Sequence, residues 1–160
     1  MSLLLQFHVF ISLVAIFAGL VVVWGLLTER PLPGWTAFFL ATTVLTSLTG
    51  FPLEPFGLTP GRIVGIISIV LLAVAIASLY AFHLAGAWRW IYIATAVASL
   101  WLNVFVGITQ AFQKLPFLHA LAPTGSEPLF LIVQLAALAI LIVCAIVASV
   151  RFHPVAKPAA

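Results

Sequence analysis

Eight hydrogen-bonding side chains recur at helical spacing inside long apolar segments of the sequence. They are His8, Ser12, Thr42, Thr46, Thr49, Asn103, Gln110 and Gln134. Residues three, four or seven positions apart lie on one face of a helix, so each segment is expected to carry its polar groups on one side. Counted at 1.5 Å per residue, most of them fall in the same half of a bilayer. The pattern predicts a ligand-binding polar pocket in the outer half of the bilayer that opens to the outer face.

Each of these residues also has a structural interpretation. For His8 it is a hydrogen bond to a carbonyl or a threonine of another helix, and the functional alternative is a ligand- or proton-handling role. Asn103 and Gln134 present the same choice between joining helices and lining a pocket. The threonine and serine hydroxyls of the second segment can bond to the carbonyls of their own helix. The sequence leaves both interpretations open.

Four histidines are the only candidates for haem ligation. Haem iron often takes imidazole ligands, and axial ligation inside a bundle needs two histidines at matching depth. The possible pairs are His8 with His119 at one face and His83 with His153 at the other. Neither pair lies deep on two facing segments, so the sequence favours no cofactor, with haem b or a quinone as the alternative.

The composition excludes several classes of chemistry. The chain has no Asp, so it cannot assemble an Asp-completed catalytic triad or an Asp-dependent magnesium site. The single cysteine, Cys144, excludes an internal disulfide and a cysteine-based zinc site. A hydrolase would need Ser12 or Ser47 with His8, but no nucleophile elbow accompanies them. The sequence therefore disfavours an enzyme.

The segments that must position these residues belong to a membrane protein. The chain of 160 residues is 65% hydrophobic and 6% charged, whereas a soluble domain has about 25% charged residues. Five stretches are long and apolar enough to cross a bilayer, at residues 3–27, 35–53, 62–84, 88–112 and 128–150. The predicted fold is an all-α integral membrane bundle of five helices over residues 1–153, with a short cytoplasmic tail at 154–160. Four crossings remain if the threonine-rich second segment does not span.

The basic side chains predict the orientation. One face holds Arg30, Arg89, Arg151 and Lys157, and the other holds Arg62, Lys114 and the terminal amine. An excess of Lys and Arg marks the cytoplasmic side, so the amino terminus is expected in the periplasm and the carboxyl terminus in the cytoplasm. The net charge of +3 is spread singly over segment ends, which argues against a nucleic-acid partner.

Two further features concern partners. Gly61 and Gly65 form a GxxxG motif, which can pack within the chain or against a second copy. The connection from Lys114 to Pro128 is amphipathic enough to lie along the membrane surface among the lipids.

The run NVFVGITQAFQKLPFLHALAPTGSEPLF, from Asn103 to Phe130, resembles a stretch of a family of small, uncharacterised, polytopic bacterial inner-membrane proteins. The resemblance implies a bacterial inner membrane and no particular activity. The residues favour a non-enzymatic membrane protein, that is, a subunit, an assembly partner or a binder of lipid or a small ligand. The alternatives are a haem b- or quinone-binding electron-transfer protein and a small transporter or channel component.

Overall fold

A computed structural model of the protein describes residues 3–53, 57 and 59–153. The helices in this part of the chain are α1 (Leu3–Leu27), α2 (Pro33–Gly50), α3 (Pro60–Ile76), α4 (Ala87–Lys114), α5 (Pro116–Leu121) and α6 (Pro128–Arg151). All except α5 are long and apolar enough to span a membrane. The predicted all-α fold with five candidate spans is confirmed, and the threonine-rich second segment is one of them. The predicted tail, with Lys157, lies outside the described residues.

Consecutive spans run in opposite directions because short connections join them. We call the side on which α1 begins the amino face, and the side on which α1 and α6 end the carboxyl face. Helices α1, α3 and α6 run from the amino face to the carboxyl face, and α2 and α4 run back. The short helix α5 therefore lies at the amino face, within the connection predicted to follow the membrane surface.

Helix α4 is the centre of the bundle. It packs against α1, α3 and α6, and its residues Ile93, Ala96 and Leu100 are almost inaccessible. It lies close to α1 at Gly19, where an added Cβ would lie 2.6 Å from Leu100 Cδ1 and 2.8 Å from Phe39 Cε2 of α2. The absence of a side chain at Gly19 lets α1, α2 and α4 meet at one level.

The turn from α1 to α2 is fixed by local backbone chemistry. Glu29 adopts a left-handed conformation with φ of 58°, and the N–H of Arg30 donates to the carbonyl of Gly25 at 2.9 Å. This pairing is a Schellman-type helix end, which satisfies a carbonyl that the helix leaves free. Helix α2 then begins at Pro33, since proline fits the first helical position, where no N–H is needed.

The predicted third segment ends earlier than residue 84. Helix α3 passes into a π-helical turn at Ala77–Ala81, and His83 and Leu84 take positive φ angles of 49° and 58°. A helix cannot continue through residues in this left-handed region. The hairpin is closed by Phe82, whose ring stacks on Trp88 of α4 with 3.8 Å between the centroids.

Candidate functional site

Helix α2 carries more buried hydroxyl groups than any other described helix. Its buried polar residues are Thr36, Thr42, Thr43, Thr46 and Ser47. The Thr42 hydroxyl donates to the carbonyl of Phe38 at 2.8 Å, so its proton has a hydrogen-bond acceptor within its own helix. This explains how α2 remains a candidate span although its mean hydropathy, 1.4, is the lowest of the five.

His8 joins α1 to α2 near the amino face. Its Nδ1 lies 2.9 Å from Thr49 Oγ1, and the Thr49 hydroxyl donates its one proton to the carbonyl of Leu45 at 2.7 Å. With the Thr49 proton on that carbonyl, Thr49 Oγ1 accepts from His8 in the tautomer that carries its proton on Nδ1. An added Cβ at Gly50 would lie 3.3 Å from His8 Cε1, so the glycine leaves room for the ring. This is the interhelical hydrogen bond that the structural interpretation predicts.

Two further contacts tie α2 to its other neighbours. Ser47 Oγ lies 3.1 Å from Ser68 Oγ of α3 and 3.0 Å from the carbonyl of Thr43. Asn103 of α4 donates from Nδ2 to Thr43 Oγ1 at 3.4 Å. Helix α2 is thereby hydrogen-bonded to α1, α3 and α4 in turn.

Gln134 makes the corresponding contact between α6 and α4. Its Nε2 donates to the carbonyl of Phe105 at 3.0 Å and to Thr109 Oγ1 at 3.1 Å. Its Oε1 is buried and has no hydrogen-bond partner among the described residues, and the same holds for Thr46 Oγ1.

The eight predicted pocket residues do not meet in one hydrogen-bond network. His8 with Thr49, Asn103 and Gln134 belong to three different helix pairs. Ser12 donates to the carbonyl of His8 within its own helix, at 2.6 Å. Gln110 is half-buried in α4. Four of the eight, His8, Thr49, Asn103 and Gln134, make a hydrogen bond to another helix.

The other sequence candidates lie at the surface. His83, His119 and His153 are exposed, and His153 Nδ1 lies 3.0 Å from the carbonyl of Arg151. No group of three or more potential metal ligands occurs in the described part of the chain. In the GxxxG motif Gly61 is exposed, while an added Cβ at Gly65 would lie 3.5 Å from Phe51 Cζ of the same chain.

A cleft of about 180 Å³ opens at the carboxyl face. It lies between the ends of α1 and α3 and the beginnings of α2 and α4. Its apolar walls include Val22, Leu26 and Leu79, and Phe152, just beyond α6, also borders it. Sequence reasoning missed this site, since none of the eight predicted pocket residues lines it.

The polar groups of the cleft come from three elements. Thr36 in the first turn of α2 and Tyr92 in the first turns of α4 are exposed by only 7% and 2%, and their hydroxyls face each other. Arg30 lines the cleft from the turn between α1 and α2, with its guanidinium 5.8 Å from the centroid of the Trp24 ring. The one available sequence signal was that a threonine and a tyrosine each lie one turn inside a helix at the same face.

Arg89 holds the carboxyl end of α6 beside the cleft. Its Nη1 donates to the carbonyls of Ser149 and Phe152, both at 2.7 Å. A cation at a helix carboxyl terminus satisfies free carbonyls and interacts favourably with the helix dipole. Arg89 thereby positions Phe152 as part of the cleft border.

Comparison of the chain with protein-family models, with curated proteins and with solved structures gives no significant match. The contacts and the cleft of the bundle itself therefore carry the functional proposal.

Proposed function

We propose that this chain is a non-enzymatic, multi-pass protein of a bacterial inner membrane that binds an amphiphilic molecule from the bilayer in the carboxyl-face cleft. The observation that carries the proposal is the pair of buried hydroxyls, on Thr36 and Tyr92, that borders an otherwise largely apolar cleft. A site of this composition suits a molecule with a polar oxygen and an apolar body.

The hydroxyls of Thr36 and Tyr92 lie close to each other at the cleft. If one of them donates to the other, the proton of the second can be donated to an acceptor oxygen of a ligand, and such a bond would stabilise the complex. At about 180 Å³ the cleft is smaller than the roughly 300 Å³ at which pockets for whole drug-sized ligands begin. It therefore suits one end of a longer molecule.

The basic residues support the orientation within the proposal. Arg30 and Arg151 occupy the carboxyl face with Arg89, and such an excess marks the cytoplasmic side. The amino terminus is then periplasmic, and the cleft opens toward the cytoplasmic leaflet. An Arg151→Cys substitution, made in a Cys144→Ala background, tests this: a membrane-impermeant maleimide should label it only after the cytoplasmic side is opened. Labelling of intact cells would reverse the orientation.

The binding proposal is tested by photolabelling. The full chain is reconstituted in nanodiscs with a trace of phospholipid that carries a diazirine near the headgroup. We expect crosslinks at the cleft, near Leu26 and Tyr80, to exceed those on the exposed residues Ile146 and Val150, which lie toward the carboxyl-face end of α6, because a site retains lipid longer than an open surface.

A matched pair of variants provides the control. Val22 borders the cleft, so Val22→Phe fills it and should abolish the excess labelling, whereas the neighbouring Val21 is not among its lining residues. Val21→Phe should leave the labelling unchanged, and thermal unfolding of both variants verifies that the bundle is intact. Equal labelling of the cleft and of α6 would refute the proposal. Excess labelling of the cleft that persists in folded Val22→Phe would refute it as well.

A further inference from the structure

We infer that the ligand of the carboxyl-face cleft is an anionic phospholipid, whose phosphate is bound by Arg30 and whose neighbouring oxygens accept from the hydroxyls of Thr36 and Tyr92. The inference rests on the proposed function and names the class of molecule that the site takes.

The charge of the lining carries the inference. The polar side chains at the cleft are Arg30, Thr36, Tyr80 and Tyr92, and no acidic residue among those that the structure describes borders it. All four can donate hydrogen bonds, and Arg30 adds a positive charge. Pro33, the first residue of α2, also borders the cleft, so the positive end of that helix dipole lies there. This surrounding favours an anionic group rich in acceptor oxygens and disfavours a cation.

Arg30 is placed at the level where lipid phosphates lie. Its guanidinium stacks near Trp24, and tryptophan marks the membrane–water interface. Pro31 and Pro33 flank the turn that carries it, and proline restricts the backbone of such a turn. A guanidinium held in this way can bind a phosphate through two parallel N–H donors.

The hydroxyls and the apolar walls of the cleft match the rest of the lipid molecule. Thr36 and Tyr92 lie deeper than Arg30, one helical turn or more from the face, where the glycerol and ester oxygens of a lipid follow its phosphate. Val22 and Leu26 line this depth and suit the first methylene groups of an acyl chain. A free phosphate compound would contact Arg30 and leave these walls uncovered, so the inference commits to a membrane lipid.

The test counts lipids bound to the full chain by native mass spectrometry in a neutral detergent. The chain is titrated with phosphatidylglycerol and, separately, with phosphatidylcholine of the same acyl composition. We expect phosphatidylglycerol to bind about tenfold more tightly, because the quaternary ammonium of phosphatidylcholine brings a positive charge close to Arg30, and a charged contact is worth about that factor. Glycerol phosphate without acyl chains should not compete.

Charge variants identify the residue responsible. Arg30→Gln should weaken phosphatidylglycerol binding about tenfold, and the matched variant Arg151→Gln, on the same face but outside the cleft, should weaken it less than about twofold. Arg30→Lys should fall between wild type and Arg30→Gln, because a lysine keeps the charge and loses the paired donors. Tyr92→Phe and Thr36→Val should each weaken both lipids about threefold.

The outcomes separate this inference from the broader proposal. If the two lipids bind equally and Val22→Phe weakens both, the claim that the ligand is anionic is overturned, and the claim that the cleft binds a lipid is retained. If Arg30→Gln and Arg151→Gln weaken phosphatidylglycerol binding equally, the preference comes from the general surface charge of this face, and the inference is overturned. Full competition by glycerol phosphate overturns the lipid source. If none of the cleft variants reduces lipid binding, both claims are overturned.

Discussion

In the amino half of the bundle, polar side chains bond one helix to another. His8 reaches Thr49, Asn103 reaches Thr43, and Gln134 reaches Thr109. In the carboxyl half, Thr36 and Tyr92 instead border a cleft, and the helix-to-helix bond there is made by Arg89 to the end of α6.

The difference shows that residue type at a given depth does not decide the role of a polar group in a membrane bundle. In the amino half, His8, Asn103 and Gln134 bond to neighbouring helices, although Gln134 Oε1 is buried without a partner among the described residues. In the carboxyl half, where the ends of four helices leave a gap, Thr36 and Tyr92 border a cleft that a ligand can enter. The amino half therefore supports the architecture, and the carboxyl half offers the better candidate site.

The largest expected effect is at Arg89. Arg89→Ala removes two hydrogen bonds from a half-buried cation to the α6 end, and we expect it to lower the free energy of unfolding by about 3 kcal/mol. Arg151→Ala, which changes an exposed arginine in the last turn of α6, should cost less than about 0.5 kcal/mol. Unfolding in mixed micelles measures both. If the two variants lose the same free energy of unfolding, the hydrogen bonds of Arg89 to the end of α6 do not stabilise the bundle.

A smaller effect is expected where the two halves join. Gly19→Ala places a Cβ against Leu100 and Phe39, and overpacking of this kind costs about 2 kcal/mol. Gly34→Ala is the control, since an added Cβ there meets nothing within 4 Å and alanine favours helix. Thermal unfolding measures both variants. If Gly19→Ala leaves the stability unchanged, α1 can move away from α4 without a loss of stability.

Removal of the amino-half hydrogen bonds should have a modest effect. We expect His8→Ala, Asn103→Ala and Gln134→Ala each to cost about 1 kcal/mol, the usual scale of side-chain hydrogen bonds in membrane bundles. Each should leave lipid binding in the cleft unchanged in the mass-spectrometry titration. A loss of bound lipid in folded His8→Ala or Asn103→Ala would contradict the division of roles and return the binding site to the amino half.

The smallest effect concerns the turn that precedes α6. The backbone N–H of Thr124 donates to Glu127 Oε1 at 2.9 Å, and this bond, with a weaker contribution from Ser126, holds the pKa of the Glu127 carboxyl below its ordinary value. A depressed pKa in the folded state stabilises the turn above the ordinary glutamate pKa of about 4.3, and the stabilisation is lost as the pH falls through the folded value.

Glu127→Gln should therefore flatten the pH dependence of the turn. In wild type, the amide chemical shifts of Thr124 and Ser126 should move between about pH 6 and about pH 3, and in Glu127→Gln they should not. A shift that persists in the variant would assign the titration to another group.

The sequence predicted the elements better than the contacts. The first segment, Leu3–Leu27, begins and ends as predicted, and Pro128 begins the last one, because apolar runs and prolines act locally. The third segment differs because the left-handed His83 and Leu84 close a hairpin against α4, a tertiary contact. The eight polar residues lie in the spanning helices α1, α2, α4 and α6, but which neighbouring helix each side chain meets depends on how its helix is rotated in the bundle.

What the amino-acid sequence determined by itself is the number of candidate spans and the side of each helix that carries polar groups, since hydropathy and 3.6-residue periodicity are properties of one segment at a time. Only the tertiary structure decided that His8 bonds to Thr49 while Thr36 and Tyr92 border an open cleft. The physical reason is that a hydrogen bond requires a partner within about 3 Å, whereas a cleft requires that no side chain fill the space, and both conditions depend on how neighbouring helices pack.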